Sequence, residues 1–407
     1  MAGRLDERQR VVITGLGAVS ALGPDAPSSW RRLVSGESGI RPVTLFPVEG
    51  YRTTVAAEVD GFVDPKTPRR AARTDRIAIS ASLEALRDAG VEPAELDLAR
   101  VAVVLGAGAA GLFESEGYFE DLLRHGPRRA GVARTTSYFP SATTDWVAAA
   151  LGISGPRETV VTACSSSAIS VGLAYDAVRR GRADVAITGG ADTLSRLTFS
   201  GFNALRAMDA GPCRPFDRNR SGLTIGEAAG ILVLEGLPRA RARGARIYAE
   251  MLGYGVRCDA FHMTAPDEAG DGALRTMRDA LRMARVAPGD VGWVNAHGTA
   301  TPLNDRSETL AIKRLFGDHA RRLWVSSVKA AFGHCLGAAG AIEAVALALS
   351  IHQGIVPPTL RLETPDPECD LDYVPGAARE LSYGIGISNS FAFGGNNAAL
   401  VFGRFDG

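Results

Sequence analysis

The chain has 407 residues, of which 46% are hydrophobic and 22% charged, proportions typical of a globular protein that folds in water. Lys plus Arg and Asp plus Glu both number 45, so net charge gives no reason to expect nucleic acid or a membrane surface as a partner. The length predicts two or three domains, and we identify no uninterrupted apolar run of the roughly 18 residues that a spanning helix needs.

Cysteine usage indicates a reducing compartment. The cysteines are few, odd in number and scattered, and none forms a CxxC pair, so neither a disulfide framework nor a zinc site is predicted. The N-terminal "MAGRLDERQR" is followed by no apolar run of signal length. We therefore expect a cytoplasmic protein without a metal. The five cysteines are Cys164, Cys213, Cys258, Cys335 and Cys369.

Strand-like and helix-like segments alternate in the first half of the chain. "RVVITGLGAVS" predicts a strand followed by a glycine turn, and "TDRIAISASLEALRDAG" predicts an amphipathic helix that ends at Gly90. The segments "RVAVVLGAG", "ADVAITGGAD" and "AAGILVLEGL" predict three further strands, the last of which Pro238 stops. This alternation predicts α/β layers around a largely parallel sheet.

Two glycine-rich segments resemble nucleotide-binding loops only in part. "GLGAVSALG" lacks the last glycine of the dinucleotide fingerprint and its acidic residue, and "GAGAAG" lacks the Lys and Ser/Thr of a phosphate loop. Close packing of a helix on a strand is the preferred interpretation of the first segment.

The same rhythm begins again after about residue 240. Strands are predicted at "RIYAEMLGYGV", "VGWVNAHGTAT" and "RRLWVSSVKA", a helix at "GALRTMRDALRMARV", and a terminal hairpin at "SYGIGISNSFAFGGNNAALVFG". "GHCLGAAGAIEAVALALSIHQG" predicts a long buried helix that starts near Gly333 and echoes the helix starting at Cys164. We therefore predict two similar halves, residues 1–240 and 241–407, each with a sheet and a buried central helix.

Cys164 stands where a strand gives way to a helix. Ser165, Ser166 and Ser167 supply N-cap chemistry, and residues 168–179 have helical spacing. A sulfur at the positive end of a helix is favoured as the thiolate, which predicts a nucleophile. Free cysteine is also among the most buried residue types, so Cys164 alone does not exclude a core position.

Two of the six histidines lie in glycine-rich segments that suit a catalytic partner. His297 ends the strand of "VNAHGTATPLND", and His334 opens the second predicted buried helix. A thiolate can carry an acyl group, and two neutral imidazoles can stabilise an enolate formed by loss of CO2. A metal site would need ligand spacing that is missing here, and a cysteine protease would leave the second histidine unexplained.

These motifs together resemble the elongating β-ketoacyl-acyl carrier protein synthases of type II fatty acid and polyketide synthesis. The resemblance covers nearly the whole chain, from "VVITGLGAVS" through "RPFDRNRSG", "GEAAG", "NAHGTATPLND" and "KAAFGHCLGAAG" to "NSFAFGGNN". It implies a thiolase-like α/β fold of two pseudo-duplicated halves, each with a mixed sheet, layered around buried central helices. It further implies a dimeric acyltransferase with no permanent cofactor, whose substrates travel on the phosphopantetheine arm of an acyl carrier protein.

The resemblance also implies a role for each site residue. Cys164 would accept the acyl chain, His297 and His334 would promote decarboxylation, and Lys329 would orient this centre. Glu343 and Asp305 would be supporting acids. Phe393 would be the gate, and its backbone N–H would form an oxyanion hole together with that of Cys164. Thr299 and Thr301 would contact the phosphopantetheine arm.

Several positions depart from the family pattern and point to a specialised pathway such as polyketide or polyene synthesis. Ala392 replaces a glycine of the gating loop, which predicts a stiffer loop, and Asn396 replaces a threonine. "ALRAMDAGPCRPFD" is shorter than usual, and "LTIGEAAG" stands for "GEGAG".

Two other functions remain as alternatives. A non-catalytic chain-length factor would pair with a ketosynthase, but such partners usually lack the nucleophile. A degradative thiolase would carry a second cysteine near its C-terminus, which "SNSFAFGGNN" lacks.

The partner subunit could be a second copy or a homologous chain-length factor. We expect an acidic carrier protein to dock on a basic patch formed by Arg69, Arg70, Arg73, Arg128 and Arg129.

Overall fold

The computed structural model describes residues 6–60, 67–380 and 383–407. Its strands are β1 Val11–Ser20, β2 Arg41–Pro42, β3 Val55–Ala56, β4 Val101–Gly106, β5 Arg157–Val160, β6 Val185–Asp192, β7 Ala228–Gly236, β8 Ala249–Cys258, β9 Trp293–Asn295, β10 Trp324–Ser326, β11 Ile355–Val356, β12 Arg379–Glu380, β13 Ile385–Phe391 and β14 Asn396–Gly403. Its α-helices are α1 Ala26–Val34, α2 Arg73–Ala89, α3 Leu112–His125, α4 Ser141–Leu151, α5 Ser166–Arg179, α6 Arg196–Ala204, α7 Leu237–Ala242, α8 Asp271–Ala284, α9 Pro302–Phe316, α10 Lys329–Phe332 and α11 Ala339–Gln353.

Within the described ranges, ten strands form one sheet in the order β10-β9-β13-β14-β8-β1-β7-β6-β4-β5. The first five strands of this order come from the second half of the chain and the last five from the first half. The two halves meet where β8 pairs with β1 over three residue pairs. Counted outward from this pair of strands, the strands of each half follow one another in the same order. This repeat supports a duplicated architecture, whereas the division of the chain at residue 240 stays a prediction.

The sheet is mixed rather than largely parallel. β4 pairs in parallel with β5 and β6, and β9 with β10 and β13, but β1, β7, β8 and β14 pair antiparallel. The largely parallel sheet expected from the strand–helix alternation was wrong because strands buried on both faces are continuous apolar runs, and such runs do not reveal strand direction. The mixed sheet implied by the family resemblance is confirmed.

Helices cover both faces of the sheet. In β4, Val101, Val103 and Leu105 pack into the core formed with α2 and α4, whereas Ala102 and Val104 pack towards α5. On the other half, α8 and α9 cover the outer face. The central helices α5 and α11 pack on each other and contact strands of both halves. Two candidate site residues, Cys164 and His334, precede the N-terminal ends of α5 and α11 respectively.

The glycines of "GLG" lie inside β1 and do not form the predicted turn. A Cβ at Gly15 would lie 2.2 Å from the carbonyl oxygen of Ala85, and one at Gly17 would lie 2.0 Å from that of Ala81. The expected close packing of a helix on a strand is therefore confirmed, with α2 as the helix. The predicted end of α2 is also confirmed, because Gly90 takes the left-handed conformation there.

The second central helix begins later than predicted. α11 starts at Ala339, and His334 lies in the preceding segment, where it forms a β-bridge with Ile225. The positive φ of Gly333 (+70°) and Leu336 (+51°) interrupts a continuous helix. The segment Leu336–Gln353 is long and apolar enough to meet the criteria for a membrane span, but 89% of it is buried inside the protein, as in a core helix. The terminal hairpin is confirmed by the antiparallel pairing of β13 with β14.

Candidate active site

Cys164 projects from a tight turn between β5 and α5. Ala163 has a φ of +52°, which L-residues adopt only when their surroundings hold them there. The hydroxyl of Ser165 donates to the carbonyl of Thr162, and that of Ser166 donates to the carbonyl of Ala163. The predicted N-cap is therefore wrong, because Ser165 makes no side-chain cap bond to α5. The two hydroxyls instead brace the turn that presents the sulfur.

Burial dominates the chemistry of the Cys164 thiol. The side chain is 7% exposed, and desolvation raises its pKa to about 11, against the opposing charge of Lys329. The backbone N–H groups of Phe393 and of Cys164 itself lie beside the sulfur and also favour the thiolate. The helix end was predicted to favour the thiolate, but burial outweighs the favourable contacts and raises the pKa of the Cys164 thiol. The role of Cys164 as the nucleophile stays a prediction.

Two buried acids hold the loop that carries His297. The carboxylate of Glu308 accepts hydrogen bonds from the backbone N–H groups of His297 and Gly298, both at 2.9 Å. Asp305 accepts from Ala300, whose φ is +67°, at 3.1 Å. Asp305 thus lies where a supporting acid was predicted. The role of Glu308 was not predicted from the sequence. Glu308 lies 11 residues after His297, and this spacing does not indicate that the two residues are in contact.

His334 is fixed by its own backbone and by its ring. Its N–H donates to Thr224 at 2.7 Å, and its carbonyl accepts from Gly226 at 2.9 Å. The ring Nδ1 accepts from the N–H of Leu336 at 3.2 Å. A neutral imidazole that accepts at Nδ1 carries its proton on Nε2, so His334 is a hydrogen-bond donor at Nε2.

Both imidazoles are neutral at physiological pH. Desolvation, together with the nearby charge of Lys329, lowers the pKa of His297 and of His334 well below the usual value. The ring centroids lie 5.4 Å apart with planes at 88°. The pair can therefore converge on one oxygen atom without adding two buried positive charges.

Lys329 and Glu343 form a buried ion pair. Their side chains are 2% and 1% exposed, and the ammonium group donates to the carboxylate. Desolvation raises the pKa of Glu343 to about 7, although the Lys329 charge opposes this change. Lys329 in turn influences Cys164 and both histidines electrostatically, so the predicted supporting pair lies within range of the reacting groups.

Cys164, His297 and His334 line one cavity of about 390 Å³. Thr299, Thr301 and Phe393 line the same cavity, and the two threonine hydroxyls lie 3.0 Å apart. The ring of Phe393 packs on Phe202 at 5.8 Å between centroids. The predicted gate and the predicted phosphopantetheine contacts thus share one space with the three reactive side chains.

Asp192 is a further site residue that sequence reasoning missed. Its carboxylate accepts from the N–H groups of Gly337 and Ala109, both at 2.9 Å, and ties the end of β6 to the segment between His334 and α11. Burial raises its pKa to about 6. An acid at a strand end is common in sequences, so the position alone predicts nothing.

The departures at the gating loop cost no backbone strain. Ala392 has φ −113° and ψ 156°, an extended conformation that alanine adopts freely, whereas Gly394 takes φ +79°.

Of the predicted basic patch, Arg69, Arg70, Arg128 and Arg129 are exposed, but Arg73 is paired with the buried carboxylate of Glu227. Arg73 therefore does not belong to the patch, which corrects that prediction.

Family models for the β-ketoacyl synthase N-terminal and C-terminal domains match residues 8–240 and 248–363. The chain belongs to the β-ketoacyl synthase family. It is 43% identical to 3-oxoacyl-[acyl-carrier-protein] synthase 2 of Staphylococcus aureus (strain COL), with 99% of this chain and 100% of that one covered. The protein of the same name from Synechocystis is 41% identical, with 98% and 99% covered.

Solved structures of ketosynthases have the same fold. The ishigamide ketosynthase/chain length factor superposes with a TM-score of 0.92 at 37% identity and covers 98% of this chain and 100% of its own. A type II polyketide synthase ketosynthase in complex with its acyl-carrier protein gives a TM-score of 0.90 at 32% identity, with 97% and 99% covered. The thiolase-like fold is therefore confirmed, and the protein is an acyl-transferring condensing enzyme.

Proposed function

We propose that Cys164 carries the acyl chain in the reaction of this β-ketoacyl synthase, the decarboxylative condensation with malonyl-acyl carrier protein that yields β-ketoacyl-acyl carrier protein. The observation that carries this proposal is the convergence of Cys164, two backbone N–H groups and two neutral imidazoles on one cavity. The reaction needs no resident cofactor, because the phosphopantetheine arm of the carrier protein brings both substrates.

The first half-reaction loads the enzyme. The Cys164 sulfur attacks the thioester carbonyl carbon, the bond from that carbon to the carrier sulfur breaks, and the carrier thiol leaves with the proton that Cys164 gives up. The N–H groups of Cys164 and Phe393 would stabilise the oxygen anion of the tetrahedral intermediate. Their position beside the sulfur supports this role.

The second half-reaction makes the new carbon–carbon bond. The bond from the malonyl α-carbon to its carboxylate breaks, CO2 leaves, and the electron pair forms an enolate at the thioester. The Nε2–H of His334 and the imidazole of His297 would donate to the enolate oxygen. The α-carbon then attacks the Cys164 thioester, and the Cys164 sulfur leaves and takes up a proton.

The remaining predicted residues would support these steps. Lys329 and Glu343 would set the electrostatic balance around the three reactive groups, and Asp305 would hold the His297 loop. Thr299 and Thr301 would hydrogen-bond the phosphopantetheine arm, which their place in the cavity supports. Phe393, which packs on Phe202, would gate the acyl pocket.

We also propose how the carrier protein docks. Arg69, Arg70, Arg128 and Arg129 are exposed and unlike Arg73 are available to an acidic partner. Arg206, which sequence reasoning missed, is exposed and lines the active-site cavity, so it would add positive charge where the phosphopantetheine arm enters. The reaction would serve a specialised polyketide or polyene pathway or fatty acid synthesis.

The enzyme works as a dimer, either with a second copy or with a chain-length factor. The non-catalytic alternative is disfavoured because Cys164 and both histidines are present and converge. We propose a cytoplasmic location, which five free thiols support.

The proposal is tested by separating loading from condensation. His297→Ala and His334→Ala should still acquire an acyl group from acyl-acyl carrier protein but should form no β-ketoacyl product with malonyl-acyl carrier protein. Lys329→Ala should weaken both steps. His125→Ala, at the exposed C-terminal end of α3, is the control and should retain both. Condensation that continues in either active-site histidine variant would overturn the assignment of that histidine.

A further inference from the structure

A second cleft, of about 470 Å³, lies at the opposite end of α11 from the active site. It is formed by α1, β1, the C-terminal ends of α2 and α11, and the segment before β8. Leu349 and His352 line it, whereas His334 precedes the other end of the same helix. At 1.5 Å per residue, this places the cleft roughly 20 Å from the reacting groups along the helix axis. No residue of the active-site cavity lines it.

Hydrogen bonds and ring contacts fix the aromatic wall of this cleft. The indole N–H of Trp30 donates to the side chain of Gln353 at 2.8 Å, and the hydroxyl of Tyr248 donates to Asp88 at 3.1 Å. The Tyr248 ring contacts that of His352 at 5.0 Å between centroids. A wall whose rings are already held loses little conformational entropy when a planar ligand packs against it.

The charges that line the cleft leave a positive excess. Arg246 pairs with Asp88 and stacks on Tyr248, with its guanidinium carbon 4.6 Å from the ring centroid. Arg31 also lines the cleft, and its guanidinium has no ion pair or hydrogen bond within the described part of the chain. Its neighbour Arg32, by contrast, pairs with Glu37. One guanidinium is therefore left to bind an anion.

We propose that this cleft binds a small aromatic carboxylate, with its ring against Trp30 and the apolar wall and its carboxylate on Arg31. The apolar part of the wall includes Leu16, Val34 and Leu349. A guanidinium matches a carboxylate in bidentate geometry, and fixed rings beside it favour a planar apolar body. This site is independent of the condensation reaction, so it stands or falls separately from the proposed function.

The test is calorimetric titration of the full chain with 2-naphthoate and with the neutral analogue 2-naphthylmethanol. We expect the carboxylate to bind and the alcohol to bind about tenfold more weakly, the effect of one charge-assisted hydrogen bond. Arg31→Gln should weaken the binding of 2-naphthoate by a similar factor. Arg87→Gln, an exposed arginine of α2 outside the cleft, is the matched control and should not change the affinity.

Two further variants locate the bound probe. Val34→Trp, at the half-buried rim, should block the cleft and abolish binding, whereas Arg206→Gln at the active-site mouth should leave binding unchanged. The proposal is overturned if 2-naphthoate does not bind, if the alcohol binds equally well, or if Arg206→Gln weakens binding while Arg31→Gln does not.

Discussion

Cys164 receives opposing influences from its surroundings. The N-terminal end of α5, the Lys329 charge and two backbone N–H groups favour the thiolate, but removal of the side chain from water favours the thiol. The balance lies with the thiol, so the pKa of Cys164 is raised above its ordinary value. A neutral thiol beside two neutral imidazoles leaves Lys329 as the cation at the centre and Glu343 as its counter-ion.

The pH dependence of alkylation tests this balance. Because the pKa of Cys164 is raised to about 11, the thiolate fraction grows throughout the neutral and mildly alkaline range. We expect the rate of Cys164 alkylation by iodoacetamide, followed by peptide mass spectrometry, to rise about tenfold per pH unit from about pH 7 to 10. A plateau below about pH 8 would show that the helix end outweighs burial.

Glu308 is the residue whose contacts reach His297 most directly. Glu308→Gln keeps the size of the side chain but removes one of the two carboxylate acceptors for the N–H groups of His297 and Gly298. Leaving one buried N–H unsatisfied costs about 1–3 kcal/mol, so condensation should fall about tenfold or more while loading of Cys164 persists.

The control for this prediction is Glu368→Gln, an exposed carboxylate that pairs with Arg306. It should leave both half-reactions unchanged. Equal loss of loading and condensation in Glu308→Gln would indicate a general loss of structure rather than displacement of the His297 loop.

At the scale of elements, the approach of α2 to β1 depends on glycines. A Cβ at Gly17 would lie 2.0 Å from a backbone oxygen, which cannot move without displacing the helix. We expect Gly17→Ala to destabilise the fold by about 3 kcal/mol and to lower the melting temperature. Gly131→Ala, where an added Cβ meets nothing within 4 Å, should leave the melting temperature unchanged. Equal melting temperatures for the two variants would contradict the close packing of α2 on β1.

Element type was predictable where periodicity was strong, and element ends were not. The span of α2 and its stop at Gly90 followed from amphipathic spacing and glycine. The start of α11 did not, because the sequence around His334 is apolar and rich in small residues, and only the β-bridge to Ile225 and the positive φ of Leu336 hold it out of the helix. Such long-range backbone contacts leave no local pattern.

At the scale of the molecule, we propose that four strongly exposed apolar side chains contribute to the contact with the partner subunit. They come from α3, the segment that follows it, and the end of the edge strand β5, and they are Leu123 (86% exposed), Val132 (68%), Phe139 (70%) and Val161 (55%). Exposed apolar patches are typical of protein–protein interfaces. This surface is separate from the active-site cavity and from the cleft at Arg31.

We expect Phe139→Asp to shift the dimer towards monomer, as measured by sedimentation velocity, because a carboxylate buried in an apolar interface is costly. Leu310→Asp, an exposed position on α9, is the control and should remain dimeric. A dimer that survives Phe139→Asp and dissociates with Leu310→Asp would place the interface elsewhere.

The three candidate reactive residues could be singled out in the sequence because each stands in a distinctive motif, whereas the residues that hold them could not. Cys164, His297 and His334 follow strands in glycine-rich or serine-rich segments, but Glu308, Asp192 and Arg206 reach the site only through the fold. The mixed sheet was implied by the family resemblance but not by the strand pattern, since strands buried on both faces look alike whatever their direction.

The most direct test of the account is the intact mass of the protein after incubation with acyl-acyl carrier protein, alone and with any homologous partner chain. We predict a gain of one acyl group that is lost in Cys164→Ala and kept in Cys258→Ala, the exposed cysteine beside the gating loop. A gain that persists in Cys164→Ala would contradict the central claim that Cys164 carries the acyl chain.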